Sequence, residues 1–270
     1  MQTSPFLTDL DSRASVKGSR DPLGIQQIWT RFGRHVVGNL MTVSNSVLDF
    51  KTLILGYYFV EQIAQDMGSG SELATFLKWE QLAAYSRAVA NKDLSFRGTE
   101  RVQKNLTDGS FVTISEDRTH QILSNQKTYG LWGLYTVPAR ASGLVDTNYP
   151  RLTPDASDIV ETLYLPVMAD GTGKHTHRIR QILIDKSTRL DVYGKDKLLI
   201  GSIGRVLGSQ WLKNEKEFFR SHLLHGGPQD LTGKKQRQLA ELLESTVNQK
   251  DFKWSPSIIA KLGKTADQRG

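Results

Sequence analysis

"LVDTNYPRLTPDASDIVETLYL", residues 144–165, is the stretch from which the organisation of this chain is most readily read. Two short extended runs, 144–146 and 149–152, flank Thr147 and Asn148 and predict a small β-hairpin. Pro150 has no N–H to give to a ladder, so its run belongs at a sheet edge. Thr153 then offers a hydroxyl as N-cap, Pro154 suits the first helical position, and Asp155 places a negative charge at the positive end of the helix. Ala156, Ile159, Val160, Leu163 and Tyr164 recur at helical spacing and predict the buried face of that helix.

On the N-terminal side of the hairpin, "SFVTIS" (110–115) has the β-branched content of a strand. Ser115 is placed to cap a helix over "EDRTHQILSNQ", whose acids fall in its first turn. "KTYGLWGLYT" reads as an aromatic helical segment. Tyr129, Trp132 and Tyr135 lie on one drifting stripe, better suited to core packing than to stacking on bases. "VPARASG" reads as a second short helix, begun by Pro138 and ended by Gly143.

Before residue 110 the texture is helical. Asp21 and Pro22 can start a helix whose apolar face is Ile25, Ile28, Trp29, Phe32, Val36 and Leu40. Ser44 or Asn45 restarts the pattern, and Val47, Leu48, Leu53, Leu55 and Phe59 make the next helix apolar on several sides, hence central. After the "GSGSE" turn, "ELATFLKWEQLAAYSRAVAN" carries Leu73, Phe76, Leu77, Leu82, Ala83 and Tyr85 inward and Lys78, Glu80 and Arg87 on its exposed side. "RGTERVQKNLTDG" is a short basic helix. Beyond the hairpin, "PVMADGTGKHTHRIR" is a glycine-rich basic junction, and residues 178–227 are assigned as helical. "GGP" is a linker and "KKQRQLAELLESTVNQ" a helix with Leu239, Leu242, Leu243 and Val247 inward. "SPSIIAKLG" is a short capped helix before a polar tail. The expected architecture is mainly α: a flexible arm (1–21), a helical unit (22–109), a central element with a small β-hairpin (110–168), and a basic junction with a helical C-terminal region (169–270).

The 270 residues are 38% hydrophobic and 23% charged, an ordinary globular balance with enough apolar material for a core. Absence of cysteine excludes disulfides and thiolate metal sites and fits a reducing, cytoplasmic setting. No run reaches the roughly 20 apolar residues of a membrane helix, so no membrane partner is expected, and the N-terminus lacks the pattern of a secretory signal. The net charge of +7 and pI near 9.5 favour polyanionic partners.

Motifs for chemistry are weak. "DGTGKHTH" resembles a phosphate loop, but the Walker pattern needs Gly and Ser or Thr where this chain has Met168 and His175. His175 with His177, and His222 with His225, are spaced like metal ligands but have no carboxylate at helical spacing beside them, and surface histidines are the simpler reading. Glu61 with Asp66, or Glu215 with Glu217, could serve a divalent-metal nuclease, yet on helices such carboxylates more simply solvate an outer face. Trp79, Trp211 and Trp254 read as hydrophobic anchors or partner contacts. No catalytic residue, cofactor site or metal site is assigned.

The order of helix, short helix, turn, short helix, hairpin and capped helix over residues 115–165 resembles the winged helix-turn-helix family, and "RLTPDASDIV" is similar to its passage from the last wing strand into the closing helix. The resemblance covers about 50 residues and implies that the helix at 138–143 enters a DNA major groove while the hairpin touches backbone or minor groove. It would put Arg140 against DNA, Lys127 on phosphate and Arg151 on the wing. A helix of only two turns with a single basic side chain departs from that pattern, and winged helices also dock proteins. Lys174, Arg178 and Arg180, with His175 and His177, form a further basic run able to hold a phosphate backbone. "GSRDPLGIQQIWTRFGRHVVGNL" resembles a motif of uncharacterised bacterial proteins encoded beside DNA-processing and anti-phage defence genes. The expectation is a non-enzymatic subunit that binds duplex DNA and partner proteins, with homo-oligomerisation left open. A pure protein scaffold and a metal-dependent nuclease are the alternatives.

Overall fold

The computed structural model describes residues 25–41, 46–68, 70–169, 171–228, 230–248 and 252–269. The expected caps at Asp21, Pro22, Ser44 and Asn45 lie outside them.

The most apolar segment builds the centre. Helix α2 (Val47–Met67) buries Leu53, Ile54, Leu55, Tyr57, Phe59, Val60 and Ile63 on all its sides, as expected of a helix without one polar face. Helix α3 (Glu72–Asn91) lies against it and buries every residue from Thr75 to Arg87. Gly56 permits the approach: a Cβ there would come within 2.6 Å of the Phe76 ring and 2.8 Å of Trp79. The Trp79 indole donates to the Thr52 carbonyl at 2.8 Å, so its one polar atom is satisfied inside the core. Helix α10 (Lys197–Val206) also packs on α3, with Gly204 against Ala90.

The remaining elements wrap this centre. Helix α4 (Thr99–Thr107) leads into strand β1 (Phe111–Ser115). A one-turn helix α5 (Gln126–Tyr129) is followed by α6 (Leu131–Ala141), which packs on α2. Helix α7 (Pro154–Ile159) continues through a π-helical turn (Val160–Tyr164) into α8 (Leu165–Ala169). Helix α9 (Lys174–Ile184) leads to strand β2 (Ser187–Asp191), which pairs antiparallel with β1 from Phe111 opposite Asp191 to Ser115 opposite Ser187. Helix α11 (Glu215–Phe219) runs into a second π turn (Arg220–Leu224), and α12 (Lys235–Val247) and α13 (Pro256–Arg269) follow. The protein is mainly α with a small two-stranded sheet. One hydrophobic cluster runs from Phe50 to Phe219 and draws on residues from before 110, from 110–168 and from beyond 169.

Several local expectations are corrected. The segment 178–227 is not all helical: β2 alternates buried Thr188 and Leu190 with exposed Ser187 and Arg189, a period of two that a single strong apolar residue marks only faintly. Ser115 ends a strand instead of capping a helix. Asp117 opens a single 3₁₀ turn, Arg118–His120, by accepting from the Thr119 amide at 2.8 Å. Pro138 begins no new helix but lies within α6, with its ring buried. The hairpin is reduced to one bridge, Val145 to Leu152, with Asp146 N–H donating to the Arg151 carbonyl at 2.9 Å. Thr153 occupies the N-cap of α7, but its hydroxyl caps nothing; it donates to the Gly143 carbonyl at 2.7 Å and so ties the bridge to the end of α6. The basic junction is helical at both ends, in α8 and in α9, with a glycine turn between them. Helix α1 (Ile25–Gly33) buries none of its residues, and Ile28, Trp29 and Phe32 are exposed. In α12, Leu242 is buried, but so is Gln236, and Val247 is exposed.

Candidate functional site

The six basic positions expected to meet nucleic acid fall on four elements. Lys127, on α5, is exposed beside a cleft it shares with Glu116 and Arg118. Arg140, in the last turn of α6, is half-buried, with its Nε out of reach of solvent and without a hydrogen-bond partner among the described residues. Arg151, beside the 145–152 bridge, is exposed, pairs with Asp146 at 3.4 Å and lies over the Tyr149 ring. Lys174, Arg178 and Arg180 are brought together on α9, which packs on α2, α3, α8 and α10. Of these, Arg180 is engaged by Asp66, and Arg178 reaches Gln181 at 3.5 Å. Lys174 and His177 are exposed.

The start of α9 is electrostatically unusual. Gly171 and Gly173 take left-handed conformations, with φ of 73° and 69°, that turn the chain into the helix. Its N-cap residue, Gly173, has no side chain to cap it, the Thr172 hydroxyl accepts from the Lys174 amide at a long 3.4 Å, and the first turn holds Lys174 and no acid. Cations at the positive end of a helix dipole disfavour the helix by about 0.3–1 kcal/mol at exposed sites, whereas an anion there is stabilised. The other end of α9 is secured from the core, because Lys78 donates to the Asp185 carbonyl at 2.8 Å.

The charges expected on the outer side of α3 are inside. Lys78, Glu80 and Arg87 are 3%, 4% and 1% exposed. Glu80 accepts from the Leu131 amide at 2.7 Å and from the Gln126 side chain at 2.8 Å, so it caps α6 from another helix. Gly130 allows this, since a Cβ there would meet both carboxylate oxygens within 2.7 Å. Burial pushes the Glu80 carboxyl up to about 7, against the two hydrogen bonds that favour its charged form; Asp49 pushes it further and Arg97 opposes. Arg87 pairs with Asp49 at 2.7 Å and Asp93 at 2.8 Å, and Tyr135 donates to Asp49 at 2.5 Å. Burial, and then the neighbouring Asp49 charge, raise the Tyr135 phenol well above its ordinary value.

A second buried ion pair joins α2 to α11. Lys51 meets Glu215 at 2.7 Å and donates to the Val206 carbonyl at 3.0 Å. Tyr164 also donates to Glu215, at 2.6 Å, as does the Leu212 amide at 2.9 Å. Burial lowers the Lys51 ammonium from its ordinary value and Glu215 works against it. Three of the four carboxylates expected on outer faces are engaged, Glu215 by Lys51 and Tyr164, Asp66 by Arg180 and Glu217 by Arg220, and Glu215 is buried, not on an outer face. His222 is buried as well, its Nδ1 2.9 Å from the Ser142 carbonyl, and burial lowers its pKa. Among the described residues no group of three or more His, Asp or Glu is placed to hold a metal ion.

Pattern reading missed this interior partition of charge. Among the described residues five carboxylates (Asp49, Glu80, Asp196, Glu215, Asp230) are buried against three cations (Lys51, Lys78, Arg87). Among these residues acid is withdrawn from the surface more than base is, so their exposed charge is more basic than their total. The available signal was that α3 is apolar on both sides of Glu80 and Arg87, which leaves no solvated face for them. No helix among the described residues is long and apolar enough to cross a membrane. Comparison with protein-family models, with characterised proteins and with solved structures finds no match to this chain.

Proposed function

We propose that this protein is a non-enzymatic binding subunit that holds duplex nucleic acid by its phosphate backbone, and that it works within a larger assembly of the bacterial DNA-processing or defence kind. The partition of charge carries the reading: buried carboxylates leave the exposed charge of the described residues more basic than their total. The cationic start of α9 is the place best suited to phosphate, through Lys174, His177, Arg178 and the helix dipole. Lys127 and Arg151 are accessible additional contacts, whereas Arg140 is too enclosed to lead. The winged-helix resemblance lends the reading less, since the helix expected at 138–143 is the end of α6 and the hairpin is a single bridge. A protein-docking role has its own support in α1, whose apolar residues Ile28, Trp29 and Phe32 face no part of the core.

The test is fluorescence anisotropy of a labelled duplex across salt concentrations. Affinity falls steeply with salt and varies little with sequence, and Lys174→Ala with Arg178→Ala lowers the salt slope by about one unit per lost phosphate contact. Lack of binding at low salt removes the nucleic-acid reading and leaves the docking role.

A further inference from the structure

The Arg87 guanidinium is 1% exposed, and three of its edges are accounted for. Its Nη1 donates to Asp49 at 2.7 Å, its Nε to Asp93 at 2.8 Å, and the Phe96 ring covers it at 5.2 Å. Its Nη2 is buried and has no hydrogen-bond partner among the described residues. A stranded donor on a charged group is costly, so native interiors rarely leave one. Arg87 also lines a partly enclosed cavity of about 10 Å³ together with Asp49, Thr52, Glu80, Phe96 and Arg97. That volume is at the threshold for a single water, roughly 10–15 Å³, and too small for a larger molecule.

The charges around the cavity decide between water and a monatomic anion. Asp49 and Glu80 come from α2 and α3, Arg87 from α3, and Arg97 and Asp93 from the segment between α3 and α4; Tyr135 of α6 faces Asp49. With Asp49 and Asp93 ionised, the two arginines are already matched, so an anion would bring an excess negative charge into a low-dielectric site beside Glu80. A neutral molecule that accepts from Arg87 and can donate to a carboxylate meets no such penalty. We infer that this cavity is a built hydration site holding one ordered water on Arg87 Nη2, as an integral part of the α2–α3–α6 junction. The water completes the hydrogen bonding of the buried guanidinium beside Asp49 and Asp93.

The experiment is a crystal structure of the full chain at a resolution that shows waters, grown with bromide in place of chloride and measured at the bromine edge. The expected result is one peak within about 3.2 Å of Nη2 and without anomalous signal. An anomalous peak there makes the ligand an anion and overturns the assignment. An empty cavity, or a Glu80 carboxylate turned onto Nη2, overturns it as well. Arg87→Lys, which keeps the charge and deletes Nη2, loses the peak and one long-lived water from the ¹⁷O relaxation dispersion of the protein in solution. An unchanged dispersion places the water elsewhere. The wild-type crystal decides the matter even where the variant does not fold.

Discussion

Replacing Glu80 with Gln should remove a specific pH dependence from the stability of the protein. Glu80 is buried at the start of α6, and its carboxyl is pushed from an ordinary 4.5 up to about 7. The folded state therefore binds the proton more tightly than the unfolded state. Stability from this group is fully present below pH 4.5 and is lost as pH rises through about 7. With about 1.4 kcal/mol per unit, a shift of this size withdraws about 2–3 kcal/mol between pH 5 and pH 8. The amide of Glu80→Gln does not titrate, but one of its two polar ends must face a donor, Leu131 N–H or the Gln126 amide nitrogen, and that mismatch costs about 1–3 kcal/mol at every pH. The variant is thus less stable than wild type at pH 5 and about equal or more stable at pH 8. Urea denaturation of both proteins at pH 5, 6, 7 and 8 measures this, and other titrating groups cancel in the difference. A difference between variant and wild type that stays flat over this range would refute the assignment of the proton to Glu80.

Lys51→Met strands Glu215 in the core and costs about 3–5 kcal/mol, much of which Lys51→Met with Glu215→Gln recovers; equal losses in the single and double variants would deny the coupling. Thr153→Val keeps the shape but deletes the hydroxyl that holds the Gly143 carbonyl, at a cost of about 1 kcal/mol by denaturant midpoint. If Thr153→Val is neutral, that hydrogen bond contributes nothing. Gly130→Ala drives a methyl into the Gln126 carbonyl as well as into the Glu80 carboxylate, and costs about 1–3 kcal/mol by denaturant midpoint; a neutral substitution would deny the close approach.

What could be read from the sequence was whatever a single element declares by itself. Helices α2, α3, α4 and α12 show in their apolar spacing, and β1 in its β-branched run, because local propensity and burial agree there. Strand β2 was hidden because "STRLD" has one strong apolar residue, and its pairing with β1 depends on a partner far back in the chain. The charged residues of α3 were misplaced for a related reason. Periodicity reports which residues avoid water, not which charges find partners, and the partners of Glu80 and Arg87 lie on α2, α5, α6 and the segment after α3. The same limit explains α1, whose apolar stripe was legible while its lack of a partner in the core was not. Of the basic positions, the trio on α9 was foreseen as a cluster, but its setting on a helix start was not, since the glycines at 171 and 173 read as a loop.

The two π turns give the chain an unusual relation to its own length. In each, the helix closes by a bond from five residues on, Leu165 N–H to the Val160 carbonyl and His225 N–H to the Arg220 carbonyl, so each turn holds one residue more than an α turn. Deleting a residue elsewhere in a helix rotates everything beyond it by about 100° and turns a buried face toward water. Deleting one within Val160–Tyr164 instead narrows a wide turn to an ordinary one, and the faces on either side keep their directions. Ala156 and Ile159 before the turn and Met168 after it would all stay in the core. Each π turn is therefore a stored residue, a place where the chain can shorten by one without repacking its neighbours. Shorter homologues of this chain are expected to have lost a residue at these two places first, and to keep the buried residues that flank them.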